Sequence, residues 1–145
     1  MRARDLDLRE LLEFPPKGGI LRFAGDRAVL LNTAALGLLR KELVDTLGVV
    51  TARGILTRFG YAHGWRTAEA LRDAFKWDTE REWQLAGGRL HQIQGFLTYV
   101  PVSRRQGEAP RHLVESVWED SYEAHEHVVQ FGPSEEPVCW TLCGW

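Results

Sequence analysis

His91 and Trp118 are the residues of this 145-residue chain best suited to specific chemistry. An imidazole both donates and accepts hydrogen bonds, and an indole offers one N–H on a broad apolar face. His91 stands in Leu85-Ala86-Gly87-Gly88-Arg89-Leu90-His91-Gln92-Ile93-Gln94-Gly95-Phe96. Trp118 stands in Val114-Glu115-Ser116-Val117-Trp118-Glu119-Asp120-Ser121-Tyr122-Glu123. The glycine pair predicts a break in a helix just before the histidine, after which the pattern turns to strand. Such a pair could hold a small aromatic molecule with one polar substituent, and Ile93, Phe96 and Ser116 fall beside it as further candidate ligand contacts.

Other reactive side chains carry weaker patterns. Cys139 and Cys143 are four apart, so on a helix they face the same way and could touch one metal. Two thiols alone do not make a site, since buried free cysteine is common. His125 and His127 point about 200° apart on a helix, and with Glu123 and Glu126 they read as a solvated face. His63 and His112 show no partner pattern. No G-x-x-x-x-G-K-[ST] phosphate loop and no basic helix-turn-helix is present.

The elements that must position these residues follow from patterning. With 44% hydrophobic and 26% charged residues and a net charge of −2, the chain reads as one domain with a real core and no electrostatic footprint for nucleic acid. No apolar run reaches membrane-spanning length, and no signal-peptide pattern opens the chain. Two cysteines form no disulfide framework, so a cytoplasmic location is expected.

Asp5 to Phe14 predicts a short helix stopped by Pro15-Pro16. Ile20 to Phe23 and Ala28 to Leu31 flank a turn at Gly25-Asp26, a β-hairpin. Asn32 or Thr33 caps a helix carrying Leu36, Leu39, Leu43 and Leu47, stopped at Gly48. Thr51 to Trp65 predicts a second helix, continued from Thr67 to Phe75. Its Gly54, Gly60 and Gly64 suggest close packing on a symmetry-related helix or the preceding one. Thr79-Glu80-Arg81-Glu82 has capping-box form and opens a helix running into Gly87-Gly88. Phe96 to Val102 and Arg111 to Trp118 read as strands around a loop at Ser103–Pro110. Asp120-Ser121-Tyr122-Glu123 opens a helix as a second capping box, Gly132-Pro133 closes it, and Pro137 starts a last helix. Helices and antiparallel strands without a βαβ rhythm give an α+β fold.

Three blocks, LAGGRLHQIQGF, SVWEDSYEAHEH and Glu136 to Leu142 (EPVCWTL), carry a resemblance. From about Leu11 to its last residue the chain resembles the sensor domain of sigma-54-dependent activators of aromatic catabolism, which respond to phenols or alkylbenzenes. The resemblance implies a dimer with the fold shared by 4-vinyl-reductase-type and vesicle-tethering domains. Residues 5–118 would be the family's N-terminal region and 119–145 the start of the 4-vinyl-reductase-type region, cut short at the C-terminus. It implies that His91 hydrogen-bonds the effector hydroxyl and that the Trp118 N–H points at the same oxygen. Two turns before His91, where phenol sensors carry a bulky aromatic, stands Gln84. Either Trp83 beside it takes the aromatic role, or Gln84 supplies a further polar contact. Cys139 matches one of four structural zinc ligands, the other three lying beyond this chain, and Cys143 matches none. The family's ATPase and DNA-binding domains are absent, and in the family an empty sensor represses that ATPase.

The expected function is therefore a regulatory domain sensing a small aromatic effector. Two other classes compete with it. One is a protein-interaction module of the same fold; the other is an enzyme with His91 as general base, for which no motif positions a second catalytic group.

Overall fold

The structure is a computed structural model that describes residues 1–16, 18–102 and 115–145. The architecture is α+β: among the described residues, six helices accompany one three-stranded and one two-stranded antiparallel sheet. The expected loop at Ser103–Pro110 and the expected strand start at Arg111–Val114 lie outside the described residues.

The N-terminal segment is not the single helix expected. A 3₁₀ turn at Ala3–Asp5 leads to α1 (Leu8–Leu11), one turn long, and then directly into β1 (Leu12–Glu13). Pairing decides this. Leu12 and Glu13 lie opposite Phe23 and Arg22 of β2 (Leu21–Phe23), and the Leu11 carbonyl accepts the Ala24 N–H. The hairpin forms, but its turn sits one residue earlier, at Ala24-Gly25, where φ is +50° and +83°. A two-residue turn with both φ positive matches the twist of paired strands. It starts β3 at Asp26 (Asp26–Ala28) and leaves Val29, Leu30 and Leu31 exposed rather than in a strand.

Asn32 caps α2 (Thr33–Leu47), its side-chain oxygen accepting the Ala35 N–H at 2.9 Å. Gly48, at φ +77°, turns the chain into α3 (Val49–Ala74). The two predicted stretches are one 26-residue helix, about 40 Å long. Two of its glycines, Gly60 and Gly64, pack on the end of the chain rather than on α2. A Cβ on Gly60 would strike the carbonyl of Thr141, and one on Gly64 the carbonyl of Trp145, while Gly144 faces the Thr57 carbonyl in return. Small residues on both sides let α3 and the final helix, α6 (Trp140–Gly144), approach backbone to backbone.

Thr79 caps α4 (Glu80–Ile93) by accepting the Glu82 N–H at 3.2 Å. The capping box is only half made, because the Glu82 carboxylate accepts the Ala3 N–H at 2.7 Å instead. The helix does not break at Gly87-Gly88. It runs through them to Ile93, and a Cβ on Gly88 would lie 2.7 Å from the Tyr99 ring. The pair therefore makes room for strand β4 (Thr98–Pro101) rather than ending the helix. Beyond Gly95, at φ +75°, β4 pairs with β5 (Ser116–Glu119), with Tyr99 opposite Trp118. Asp120 takes a left-handed φ of +52°, so Ser121, not Asp120, is the N-cap of α5 (Tyr122–Phe131).

Two clusters hold these pieces together. Ala3, Leu6, Leu11, Leu71, Ala86 and Leu90 join the N-terminus to α3 and α4, and Ala52, Leu56 and Trp140 join α3 to α6. Full burial of Leu6, Leu11 and Leu90 contributes about 1.5–3 kcal/mol each.

Candidate functional site: a histidine in an aromatic box

The last turn of α4 carries His91 inward, where it is 7% exposed. The turn is closed by its own backbone, since the His91 carbonyl accepts the Phe96 N–H at 2.9 Å. That bond brings Phe96 back over the imidazole, with ring centres 5.9 Å apart. Trp118 lies at 6.3 Å, delivered by β5, and Trp145 at 4.2 Å, delivered by α6. The Phe96 ring also packs on Tyr122 at 5.6 Å. Three elements distant in sequence thus box one imidazole with aromatic faces.

Burial, and secondarily the nearby His63, pushes the His91 pKa down to about 4. The ring is therefore neutral near pH 7, with one N–H donor and one acceptor nitrogen. Its Nδ1 is buried and meets no hydrogen-bond partner among the described residues. Buried polar atoms of native proteins are nearly always paired, and this nitrogen is an exception among the described residues.

Of the other expected contacts, Phe96 and Trp118 join His91. The Trp118 N–H, however, is donated to Ser116 Oγ at 3.0 Å, not directed at a shared position beside His91. Residues two apart on a strand point the same way, and the hydroxyl captures the donor. Ile93 packs instead against the N-terminal cluster. Trp83 donates its N–H to the Ala68 carbonyl at 3.0 Å, and Arg72 lies over its ring at 5.0 Å, so it belongs to the α3–α4 contact. Gln84 is exposed two turns before His91, on the same side of α4.

Two residues of the box carry no pattern in the sequence reading. His63, given no partner there, accepts the Trp145 indole N–H at Nδ1 across 3.0 Å. Its own pKa is lowered by burial, so it stays neutral and able to accept. Trp145 in turn rests on Gly87 and Gly64. The available signal was spacing: His63 lies between Gly60 and Gly64 on α3, the strip that admits α6. His112 lies outside the described residues.

The supposed solvated face of α5 is not one. Glu123 and Glu126 are 3% and 5% exposed, and of the four side chains expected on that face only His125 is exposed. Glu123 accepts from Arg40 Nη1 at 3.1 Å and from the amides of Thr141 and Leu142 at 2.8 and 3.1 Å, capping the start of α6. Arg40 Nη2 lies 3.3 Å from His127 Nδ1. An arginine within the leucine-lined face of α2 was the visible sign of this buried pair.

Cys139 is half-buried, 3.2 Å from Ser121 Oγ, and burial raises its pKa. Cys143 is exposed one turn later. Among the described residues no group of three or more His, Cys, Asp or Glu side chains could hold a metal ion. The described donors therefore do not make a four-ligand zinc site.

The chain matches, over residues 7–105, the family described as activator of aromatic catabolism. It is 31% identical over 140 residues to the phenol regulator MopR of Acinetobacter guillouiae, covering 96% of this chain and 25% of that protein. To the transcriptional regulatory protein XylR of Pseudomonas putida it is 31% identical over 150 residues, covering 100% of this chain and 26% of that protein. The chain thus spans about a quarter of the length of these curated relatives. The crystal structure of the phenol-responsive sensory domain of the transcription activator PoxR with phenol is similar at 37% identity and a TM-score of 0.80, covering 94% of this chain and 69% of that one.

Proposed function

This chain belongs to the activator-of-aromatic-catabolism family, and from that premise we propose that it senses a phenol-class effector at His91 and regulates a transcriptional activator. The observation that carries the reading is the unpartnered, buried Nδ1 of a neutral His91 inside an aromatic box. A neutral imidazole can accept a hydrogen bond from a phenolic hydroxyl or donate one to its oxygen. The rings of Phe96, Trp118 and Trp145 supply apolar area for the effector ring. At 4.2 Å the His91 and Trp145 rings touch, so an effector enters beside Trp145 or displaces it. Ser116 holds the Trp118 N–H in its free form; rotation of the serine hydroxyl or of the indole would release that donor to the ligand.

For regulation the effector must bind the active arrangement of the larger protein more tightly than the repressed one, since equal affinity shifts nothing. A homodimer belongs to this proposal on family grounds, because Gly60 and Gly64 of α3 are taken up by Thr141 and Trp145 of the same chain. A cytoplasmic setting is proposed as well; among the described residues no helix is long and apolar enough to cross a membrane. Zinc enters as a partner of Cys139 only with ligands from outside these residues, so elemental analysis of the purified chain should find less than one zinc per chain.

Calorimetry of the parent and His91→Ala against phenol and toluene tests the polar anchor. Losing a hydrogen bond inside an apolar box costs about 1–3 kcal/mol, roughly tenfold to a hundredfold in affinity. The variant should lose that factor for phenol and little for toluene. Equal losses for both would make His91 a packing residue.

A further inference from the structure

Trp145 resembles, in its chemistry and its place, the molecule that the aromatic box would bind. Its indole is an aromatic ring with a single hydrogen-bond donor, and its ring centre lies 4.2 Å from that of His91. The indole N–H is donated to His63 Nδ1 at 3.0 Å. Burial holds the His63 pKa below its ordinary value, so that nitrogen stays unprotonated and accepts. His63 is itself fixed by two rings. Phe59 stacks on it at 6.1 Å with planes 5° apart, and Phe96, which also packs on His91, meets it edge-on at 6.4 Å. The holds on Trp145 differ in kind. Its backbone sits tightly against Gly64, whereas its six-membered ring meets only ordinary contact at Gly87, 3.6 Å from where a Cβ would stand. An indole has one donor, so the bond to His63 is the one N–H hydrogen bond that keeps the ring in place. The side chain is partly exposed, which leaves it a way out of the box.

We infer that Trp145 is an internal competitor for the effector site and that His63 sets its strength: the indole fills the box in the free protein, and an aromatic effector binds by turning it away from His63. This rests on the effector site proposed at His91. The α6 backbone stays against Gly64 as a wall of the box, and only the indole turns about its side-chain bonds. Breaking the His63 bond is then part of the cost of binding any effector. Apparent affinity is reduced by the fraction of molecules whose indole is already turned away. That penalty belongs to the free protein, so it is the same for phenol and for toluene. His91, by contrast, distinguishes the two.

Calorimetry with phenol and with toluene should compare the parent with His63→Phe, which keeps a ring between Phe59 and Phe96 but offers no acceptor. Both affinities should rise by the same factor, about two- to tenfold, the worth of one neutral hydrogen bond. A His63 that merely supports the wall of the box gives the opposite sign, with both affinities falling. A second measurement uses the unaltered chain and stands even if His63→Phe misfolds. The Trp145 indole N–H signal in NMR, assigned by its loss in Trp145→Phe, should exchange with solvent faster as phenol saturates the site. Phenol binding with that exchange unchanged or slower would overturn the internal competitor and leave the His91 site standing. So would unchanged or lower affinities in a folded His63→Phe protein, or a gain for phenol without one for toluene. No binding of either compound by parent or variant would overturn both.

Discussion

At the scale of single residues, His91 ties stability to pH. Its pKa falls from the ordinary 6.5 to about 4 in the fold, first because it is buried and second because His63 is near. Between those values the unfolded chain binds the proton and the folded chain does not, so stability rises with pH across that window. The contribution is complete above pH 6.5 and is lost as pH falls towards 4, amounting to roughly 3 kcal/mol. Stabilities from urea denaturation at pH 7 and pH 5 should differ by about 2 kcal/mol of this, since pH 5 lies inside the window, and His91→Leu should remove most of that difference, leaving the smaller shares of His63 and His127. The His63–Trp145 bond makes a second prediction. Trp145→Phe keeps a ring on His91 but deletes the donor, and should cost about 1 kcal/mol. Combined with His63→Ala it should be non-additive, because both changes remove one bond. Additive losses in a urea-denaturation double-mutant cycle would show that the bond contributes nothing.

Among the elements, the pairing of α3 with α6 is decided by glycine. Gly60 and Gly64 face backbone carbonyls of α6, which have no rotamer by which to yield, whereas Gly54 meets only the tip of the Arg58 side chain at 3.5 Å. Gly54→Ala should therefore stabilise the chain by up to about 1 kcal/mol through helix propensity. Gly60→Ala or Gly64→Ala should destabilise it by roughly 1–3 kcal/mol from overpacking and displace Trp145 from His91. Thermal melts of the three variants check this, and equal melting temperatures would refute close helix contact. The same reasoning applies on α4, where Gly88 admits the Tyr99 ring.

For the whole molecule, the Arg40–Glu123 pair joins α2, α5 and α6 in one buried network. Removing one partner of a buried pair leaves an uncompensated charge, at about 3–5 kcal/mol. Glu123→Leu should approach that cost and loosen the start of α6, which hydrogen exchange at the Thr141 and Leu142 amides would report. Because α6 also carries Trp145 and the neighbouring Cys139, this change should weaken phenol binding without touching His91. Unchanged phenol affinity in a folded Glu123→Leu protein would separate the network from the aromatic box.

Much of this was set by local sequence. Asn32 with the leucines of α2, Thr79 ahead of α4, and Gly48 and Gly132 at helix ends act through neighbouring backbone groups, so their positions could be read directly. His91 and Trp118 were grouped by the family resemblance rather than by local pattern, and the β4–β5 pair is what brings their two blocks together. Tertiary structure decided what depends on partners far along the chain. Gly87-Gly88 looks like a break until Tyr99 is placed against it, and Glu123 looks solvated until Arg40 and α6 arrive. Ala24-Gly25, rather than Gly25-Asp26, became the turn once β1 joined β2 and the hairpin register was fixed by pairing. His63 and Trp145 share no local pattern, yet one hydrogen bond between them closes the box over His91. Periodicity and capping act within a few residues, whereas burial and the pairing of polar atoms are settled only when distant segments meet.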